Sequence, residues 1–178
     1  MIYTTNYNSP IGQLQIAEKD GGLIGLWTEG QKYYFDSIKE ETIKQNTPSL
    51  QSVQSWLDRY FAGEKPTVAE LNLKPLGSPF RQEVWRLLCQ IPYGEVITYG
   101  EIARQIAAKM GKTSMSAQAI GGAVGHNPIS IIIPCHRVIG AKGNLTGYAG
   151  GLQTKIKLLE HEGVDLSSFF IPKRGTAL

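Results

Sequence analysis

The N-terminal part of the chain alternates between apolar stretches and turn-forming residues. Residues that favour strands fill Ile2–Tyr7, Leu14–Glu18 and Leu23–Thr28. The segments between them, 8–12 and 19–22, contain the Asn, Asp, Pro and Gly residues typical of tight turns. We therefore predict three short strands that form a small antiparallel sheet.

A helix is predicted after these strands. Ser49 is a suitable N-cap and Gly63 suits the C-terminal stop. Between them, apolar residues recur at helical spacing, at Leu50, Val53, Leu57 and Phe61. The sheet and this helix make a small α/β unit in which no chemistry is recognisable, so we expect it to be a supporting domain.

Two prolines and a glycine in Lys74–Pro79 discourage any continuous element and mark the expected domain boundary. We place the domains at residues 1–77 and 78–178. The second is predicted to be mainly helical. Its helices are expected after the N-caps Ser78 and Thr98, from near Ser116 to Gly125, and around Leu152–Leu159 with a stop at Gly163.

Two further features belong to this second domain. Glu101 lies three residues after Thr98, the spacing of a capping box. The apolar run Ile129–Ile133 is predicted to be a short strand that ends at Pro134.

The segment Ala117–Gly125 is unusual because six of its nine residues are Ala or Gly. Two short helices joined by a loop are typical of a helix-turn-helix, or a winged-helix-like DNA-binding element, with this segment as the second helix. Small residues allow a bulky partner to approach the backbone closely. Tight packing against a neighbouring helix is the alternative interpretation.

Composition narrows the class of protein. The chain has 178 residues, and no apolar run approaches the roughly 20 residues of a membrane span. The segment Met1–Asn6 lacks the features of a signal peptide, and two cysteines are too few for a disulfide framework. We expect a cytoplasmic protein with no membrane association.

Charge is distributed unevenly along the chain. Residues 1–77 contain seven basic and nine acidic side chains, whereas residues 78–178 contain eleven basic and six acidic ones. A polyanion such as nucleic acid would favour the second part. A chance distribution is the alternative at this point.

The most informative motif is Pro134–Val138, because it places Cys135 beside His136. An imidazole can raise the thiolate fraction of a neighbouring thiol, and a carboxylate such as Glu162 can orient that imidazole. In an extended segment the two side chains would point to opposite sides, so they would need a bridging water or a bend in the chain to interact. A buried thiol beside a hydrogen-bonded histidine, without catalysis, is the alternative. Cys89 has no such neighbours.

These motifs resemble those of the O6-alkylguanine-DNA alkyltransferases, also called methylated-DNA–protein-cysteine methyltransferases. The resemblance covers residues 78–163 and is carried by five segments: Tyr93–Tyr99, Gly125–Pro128, Pro134–Val138, Gly147–Gly151 and His161–Gly163. It implies a repair protein that removes the alkyl group of O6-alkylguanine, and of O4-alkylthymine, in duplex DNA after flipping the base. The transfer to Cys135 would be irreversible and single-turnover.

The resemblance also implies roles for individual residues. Glu162, His136 and a water would take the proton of the Cys135 thiol, Tyr99 would donate a hydrogen bond to the departing guanine, and Asn127 would hold the active-site loop. Substrate or DNA contacts are implied for eight further residues: Gln118, Ala119, Arg137, Val138, Tyr148, Ala149, Gly150 and Lys155. For Arg137, Lys142 and Lys155, phosphate contacts and an internal structural role both remain open.

One position departs from the family pattern. Gln118 stands where many members carry an arginine that fills the gap left by the flipped base, and glutamine brings no charge. The resemblance implies no cofactor and no metal, because the zinc-binding cysteines of some relatives have no counterpart here. It also implies duplex DNA as the partner, no obligate protein partner and a monomer.

Three alternatives of other kinds remain at this stage. One is an alkyltransferase-like protein that binds damaged DNA without repairing it, although such a protein would be expected to lack the cysteine. The others are a cysteine hydrolase, for which no oxyanion-hole motif is visible, and a helix-turn-helix regulator, which would leave the cysteine motif unused.

Overall fold

The computed structural model describes residues 1–172, which form two compact units. The first unit consists of Met1–Gly77 together with Pro128–Ile132, and the second contains the other described residues, 78–127 and 133–172. Residues 128–132, which the sequence-based division assigned to the second domain, therefore belong with the first unit.

The first unit is built on a four-stranded sheet in the order β3-β2-β1-β4. Its strands are β1 (Ile2–Ser9), β2 (Gly12–Lys19), β3 (Gly22–Thr28) and β4 (Thr42–Lys44). The three predicted strands are present as an antiparallel meander, but β4 pairs with β1 in parallel, so the expectation of a purely antiparallel sheet was wrong. All three residues of β4 are exposed, and a strand of three residues is too short to show an alternating pattern in the sequence.

The predicted helix of the first unit is α1 (Pro48–Phe61), and its N-cap is Thr47 rather than Ser49. The hydroxyl of Thr47 accepts a hydrogen bond from the Leu50 amide at 3.3 Å. Pro48 occupies the first helical position, where its missing N–H costs nothing. This proline explains why the helix begins before the serine.

The second unit is mainly helical, as predicted. Its elements are α2 (Pro79–Leu88), β5 (Ile97–Thr98), α3 (Tyr99–Lys109), α4 (Ala117–Gly125), β6 (Val138–Ile139) and α5 (Leu152–His161). Strands β5 and β6 pair in parallel as a two-stranded ribbon. No helix within residues 1–172 is long and apolar enough to cross a membrane.

The predicted N-caps Ser78 and Thr98 are confirmed, and Ser116, near which the next helix was expected to begin, caps that helix in the same way. The hydroxyls of Ser78, Thr98 and Ser116 each accept a hydrogen bond from the amide three residues later. The capping box at Thr98 is only half formed, because the Glu101 carboxylate bonds Arg104 and Gln105 instead of reaching back to the cap.

The strand predicted for Ile129–Ile133 is absent, and this expectation was wrong. Within the first unit Ile129 forms an isolated bridge with Leu26, and the chain then turns. Ile131 has a φ of +71°, which interrupts any extended run, and the Ile132 amide bonds the carbonyl of Ser130 at 2.8 Å. The apolar character of the segment reflects burial rather than sheet formation.

Candidate active site

The cysteine motif lies on a buried turn. Cys135–Arg137 forms one turn of 3-10 helix, and β6 follows directly. The chain bends here instead of running extended, because the amide of Val138 bonds the carbonyl of Cys135 and closes the turn. Cys135, His136 and Arg137 are all buried within the second unit.

Glu162 organises the centre of this site. Its Oε2 lies 2.6 Å from Nε2 of His136, and its Oε1 accepts hydrogen bonds from Nε of Arg137 at 2.8 Å and from the Gly94 amide at 3.0 Å. Nη1 of Arg137 donates to the carbonyl of Ile91 at 2.6 Å. The turn that carries the cysteine is therefore tied both to the end of α5 and to the loop after α2.

These contacts determine the charges in the site. Burial raises the pKa of Glu162, but hydrogen bonds and attraction from His136 and Arg137 outweigh it and hold the pKa well below its usual range. Burial lowers the pKa of His136, against the opposing effect of Glu162. We conclude that Glu162 is ionised and His136 neutral at pH 7.

The hydrogen bond to Glu162 also fixes the tautomer of His136. An ionised carboxylate only accepts hydrogen bonds, so Nε2 carries the proton and Nδ1 keeps its lone pair. Nδ1 is buried and has no hydrogen-bond partner among the described residues. The imidazole is thus prepared to accept a proton at Nδ1.

The thiol of Cys135 is held as the neutral form in the resting protein. Burial raises its pKa, whereas a hydrogen bond with the Asn127 side chain, the charge of Lys155 and nearby backbone amides lower it and only partly compensate. Nδ2 of Asn127 also donates to the carbonyl of Ile133 at 2.7 Å. Asn127 therefore holds the segment that leads into the cysteine turn, and a base is needed to form the thiolate.

Tyr99 presents a second unused polar group. It is the first residue of α3, and its hydroxyl is buried without a hydrogen-bond partner among residues 1–172. Burial raises the pKa of Tyr99, and the charge of Cys135 raises it further. The phenol therefore stays protonated and can donate a hydrogen bond.

Lys155 lies wholly inside the unit, on the first turns of α5. Its Nζ donates to the carbonyls of Val138, Thr146 and Gly147, two of which belong to the loop before α5. Burial lowers the pKa of this ammonium to about 8. Arg137 and Lys155 thus have internal partners, and of the three basic residues left open by the sequence only Lys142 is exposed.

The loop before α5 contains the remaining residues implied as substrate contacts. Tyr148, Ala149 and Gly150 are half-buried, and the Gly151 amide bonds the carbonyl of Tyr148 at 3.0 Å. The carbonyl of Val138 accepts from Lys155 and has a second lone pair for another donor.

Gln118 and Ala119 lie apart from this buried cluster, exposed on the first turn of α4. Helix α4 is anchored at its other end. The indole N–H of the buried Trp85, on α2, donates to the carbonyl of Ala123 at 2.8 Å. The sequence does not single out Trp85, because its apolar neighbours along α2 do not indicate a hydrogen bond to another helix.

Family models match both units of the chain. Residues 2–75 match the ribonuclease-like domain of 6-O-methylguanine DNA methyltransferase, and residues 79–164 match the DNA-binding domain of the same family. The fold and the site thus define an enzyme of the class that repairs DNA by alkyl transfer.

Sequence relatives agree over nearly the whole chain. The methylated-DNA–protein-cysteine methyltransferase of Mycolicibacterium paratuberculosis is 44% identical over 91% of this chain and 93% of the relative. That of Haemophilus influenzae is 40% identical over 92% of this chain and 87% of the relative. The chain belongs to the methylated-DNA–protein-cysteine methyltransferase family, as the sequence motifs indicated.

Solved structures support the same assignment. The structure of Mycobacterium tuberculosis OGT in complex with DNA superposes with a TM-score of 0.77 at 42% identity, covering 90% of this chain and 92% of that one. The O6-methylguanine-DNA methyltransferase of Pyrococcus kodakaraensis has a TM-score of 0.60 at 22% identity and shows the shared fold. The expected order, a sheet-containing unit before a helical one, is confirmed.

Proposed function

We propose that Cys135 accepts the alkyl group of O6-alkylguanine in duplex DNA, and of O4-alkylthymine, once per chain. The observation that carries this proposal is the buried Cys135 turn, where an ionised Glu162 fixes the tautomer of the neutral His136 and leaves Nδ1 as the proton acceptor. A thiol of raised pKa needs such a base, because little thiolate forms spontaneously at neutral pH.

The alkyl transfer is a nucleophilic displacement at the alkyl carbon. The thiol proton moves through a water to Nδ1 of His136, and the sulfur attacks the alkyl carbon in line with its bond to O6. The S–C bond forms as the C–O6 bond breaks, and its electron pair moves into the guanine ring. The Tyr99 hydroxyl, which stays protonated, stabilises that charge by donating a hydrogen bond. The proton held on His136 is then released through water, and the guanine anion takes up a proton at N1. In sum, one hydrogen replaces the alkyl group on guanine, and the thioether ends the reaction.

The surrounding residues shape the pocket. Asn127 holds the cysteine loop, and the carbonyls of Cys135 and Val138 would accept from the exocyclic amine of guanine. Backbone amides near Tyr148, Ala149 and Gly150 would reach O6. The internal bonds of Arg137 and Lys155 support a structural role for both, in place of phosphate contacts.

Access to O6 requires that the nucleotide leave the stack, which costs a few kcal/mol. We propose that α3 and α4 act as a helix-turn-helix, with α4 pressed into the groove as the recognition helix. Gln118 would fill the gap left by the flipped base, and Ala119 would let the helix approach the duplex closely. We take the active form to be a cytoplasmic monomer without a cofactor.

The two cysteines allow a direct test. Cys135→Ser is expected to abolish transfer from an O6-methylguanine duplex while binding to that duplex persists, since neither the fold nor the groove contacts need the thiol. Cys89→Ser, the matched control, should transfer at the wild-type rate, because burial raises the pKa of Cys89 to about 11 and makes it unreactive. Methyl transfer by Cys135→Ser would refute the assignment.

A further inference from the structure

Lys142 has a backbone conformation that its side chain disfavours. It lies at the centre of the turn Ala141–Gly143 with φ +60° and ψ +27°, in the left-handed region. Glycine, asparagine and aspartate occupy this region readily, whereas a lysine there costs folding free energy. The fold alone would favour one of those residues at position 142.

The turn around Lys142 is fixed by its neighbours. The Gly140 amide bonds the carbonyl of Asn144 at 2.7 Å, and the Phe170 amide bonds the carbonyl of Gly143 at 2.9 Å. A Cβ on Gly143, whose φ is +82°, would lie 2.7 Å from the carbonyl oxygen of Ser168, so this residue must be glycine. Lys142 is therefore presented from a rigid turn and cannot relax its backbone cheaply.

The ammonium of Lys142 has no counterion within residues 1–172. Three other surface cations of the second unit, Arg86, Arg104 and Lys109, are paired with Glu83 or Glu101. Lys142 is exposed and forms no ion pair with a described residue. Neither packing nor an internal salt bridge thus accounts for the lysine.

The turn is directly continuous with the candidate active site at both ends. On one side β6 leads back to the Cys135–Arg137 turn, and on the other the chain enters the loop whose carbonyls at Thr146 and Gly147 bind Lys155. A charge on this turn is thus held in a constant position relative to the cysteine.

We propose that Lys142 binds a backbone phosphate of the duplex whose damaged base enters the site. This inference rests on the proposed function. It accounts for a lysine at a position where the fold favours glycine or asparagine: the unfavourable backbone presents an unpaired cation from a fixed turn at the edge of the site.

Lys142→Asn tests the proposal, because asparagine suits the left-handed backbone and removes only the charge. Affinity for duplex DNA should fall, and the log–log slope of affinity against salt should become shallower by about 0.9, the value for one phosphate contact. Because of one such contact, the affinity falls roughly threefold more when salt rises from about 50 to 200 mM than it would without that contact. The thermal midpoint should stay constant or rise, and reaction with the free O6-methylguanine base should not change.

Two further variants serve as controls. Lys142→Arg keeps the charge and should keep the wild-type salt slope. Lys44→Asn removes an exposed lysine of β4, in the first unit, and should leave slope and affinity unchanged.

An unchanged salt slope in Lys142→Asn would overturn the proposal. A lowered thermal midpoint with a slower free-base reaction would also overturn it, by making Lys142 a structural residue. Failure of the proposed function itself is distinguishable, since the wild-type protein would then leave Cys135 unmodified.

Discussion

Among individual side chains, Glu162 has the largest set of functional contacts. It fixes the tautomer of His136, neutralises the buried guanidinium of Arg137 and binds the amide of Gly94. In the proposed mechanism, catalysis and folding therefore depend on the same carboxylate. Removing one partner of a buried ion pair leaves the other charge uncompensated, which costs far more than losing a surface pair.

Glu162→Gln is expected to lower the free energy of unfolding by about 3–5 kcal/mol, because Arg137 stays buried without a counterion. Denaturant unfolding at pH 7 measures this. The matched control is Glu70→Gln, which breaks the exposed pair with Arg59 and should barely change stability. Similar effects in both variants would contradict this account of Glu162.

The pH dependence of that difference follows from the lowered pKa of Glu162. The folded state favours the ionised carboxylate, so this stabilisation is fully present above the ordinary glutamate pKa of about 4.3 and is lost as pH falls through the lower folded value. The difference in unfolding free energy between wild type and Glu162→Gln should thus be constant near neutral pH and should shrink only in acid. A difference in unfolding free energy that grows on acidification would contradict the lowered pKa of Glu162 in the folded state.

The sequence singled out Cys135, His136 and Glu162, which the structure brings into one buried site, because their types and family motif are distinctive. It could not predict the contributions of Ile91 and Gly94, because these act through backbone groups that any residue possesses. It also left the role of Lys155 open, because only the folded loop brings three carbonyls around its ammonium.

At the level of elements, α4 is the helix that its own sequence supports least. It contains Gly121, Gly122 and Gly125, and glycine lowers helix stability by roughly 1 kcal/mol relative to alanine. The Ser116 cap and the Trp85 hydrogen bond supply fixed contacts at its two ends. The helix therefore owes its position to the second unit rather than to intrinsic propensity.

Gln118→Ala tests the proposed role of α4 and preserves helix propensity. Repair of duplex DNA should slow by one or two factors of ten if about 1–3 kcal/mol of stabilisation of the flipped state disappears. Gln118→Arg should match or exceed the wild-type rate, because a guanidinium adds donors and charge. Single-turnover rates with duplex DNA and with the free base measure the effects of both substitutions.

The free base needs no flipping, so its rate should not change in either variant. Gln105→Ala, on the exposed face of α3, is the control and should leave both rates unchanged. If Gln118→Ala slowed repair of the duplex and of the free base equally, Gln118 would act in the substrate pocket or in folding. It would then not fill the space left by the flipped base.

Capped helices were the elements best predicted from sequence, because Ser78, Thr98 and Ser116 act locally. Strand predictions were less secure where pairing depends on distant residues. Strand β4 is only three residues long, with Ile43 as its one apolar residue, and the apolar run at 129–133 turns at Ile131 despite its strand-like composition.

At the scale of the whole molecule, fewer of the positive charges in residues 78–178 are accessible to DNA phosphates than their number suggests. Arg137 and Lys155 are buried, and Arg86, Arg104 and Lys109 are paired with glutamates. Few cations of the described second unit remain for phosphates, so DNA binding is expected to depend only moderately on salt. Sequence charge alone could not separate buried cations from exposed ones.

In the proposed reaction each chain accepts one alkyl group on Cys135 and then stops. The intact mass of the protein during incubation with excess O6-methylguanine duplex, together with the amount of repaired guanine, tests this directly. All protein should convert to a species heavier by one methyl in place of one hydrogen, with one repaired guanine per chain. Repaired guanine in excess of the protein, or repair by protein of unchanged mass, would refute this reaction.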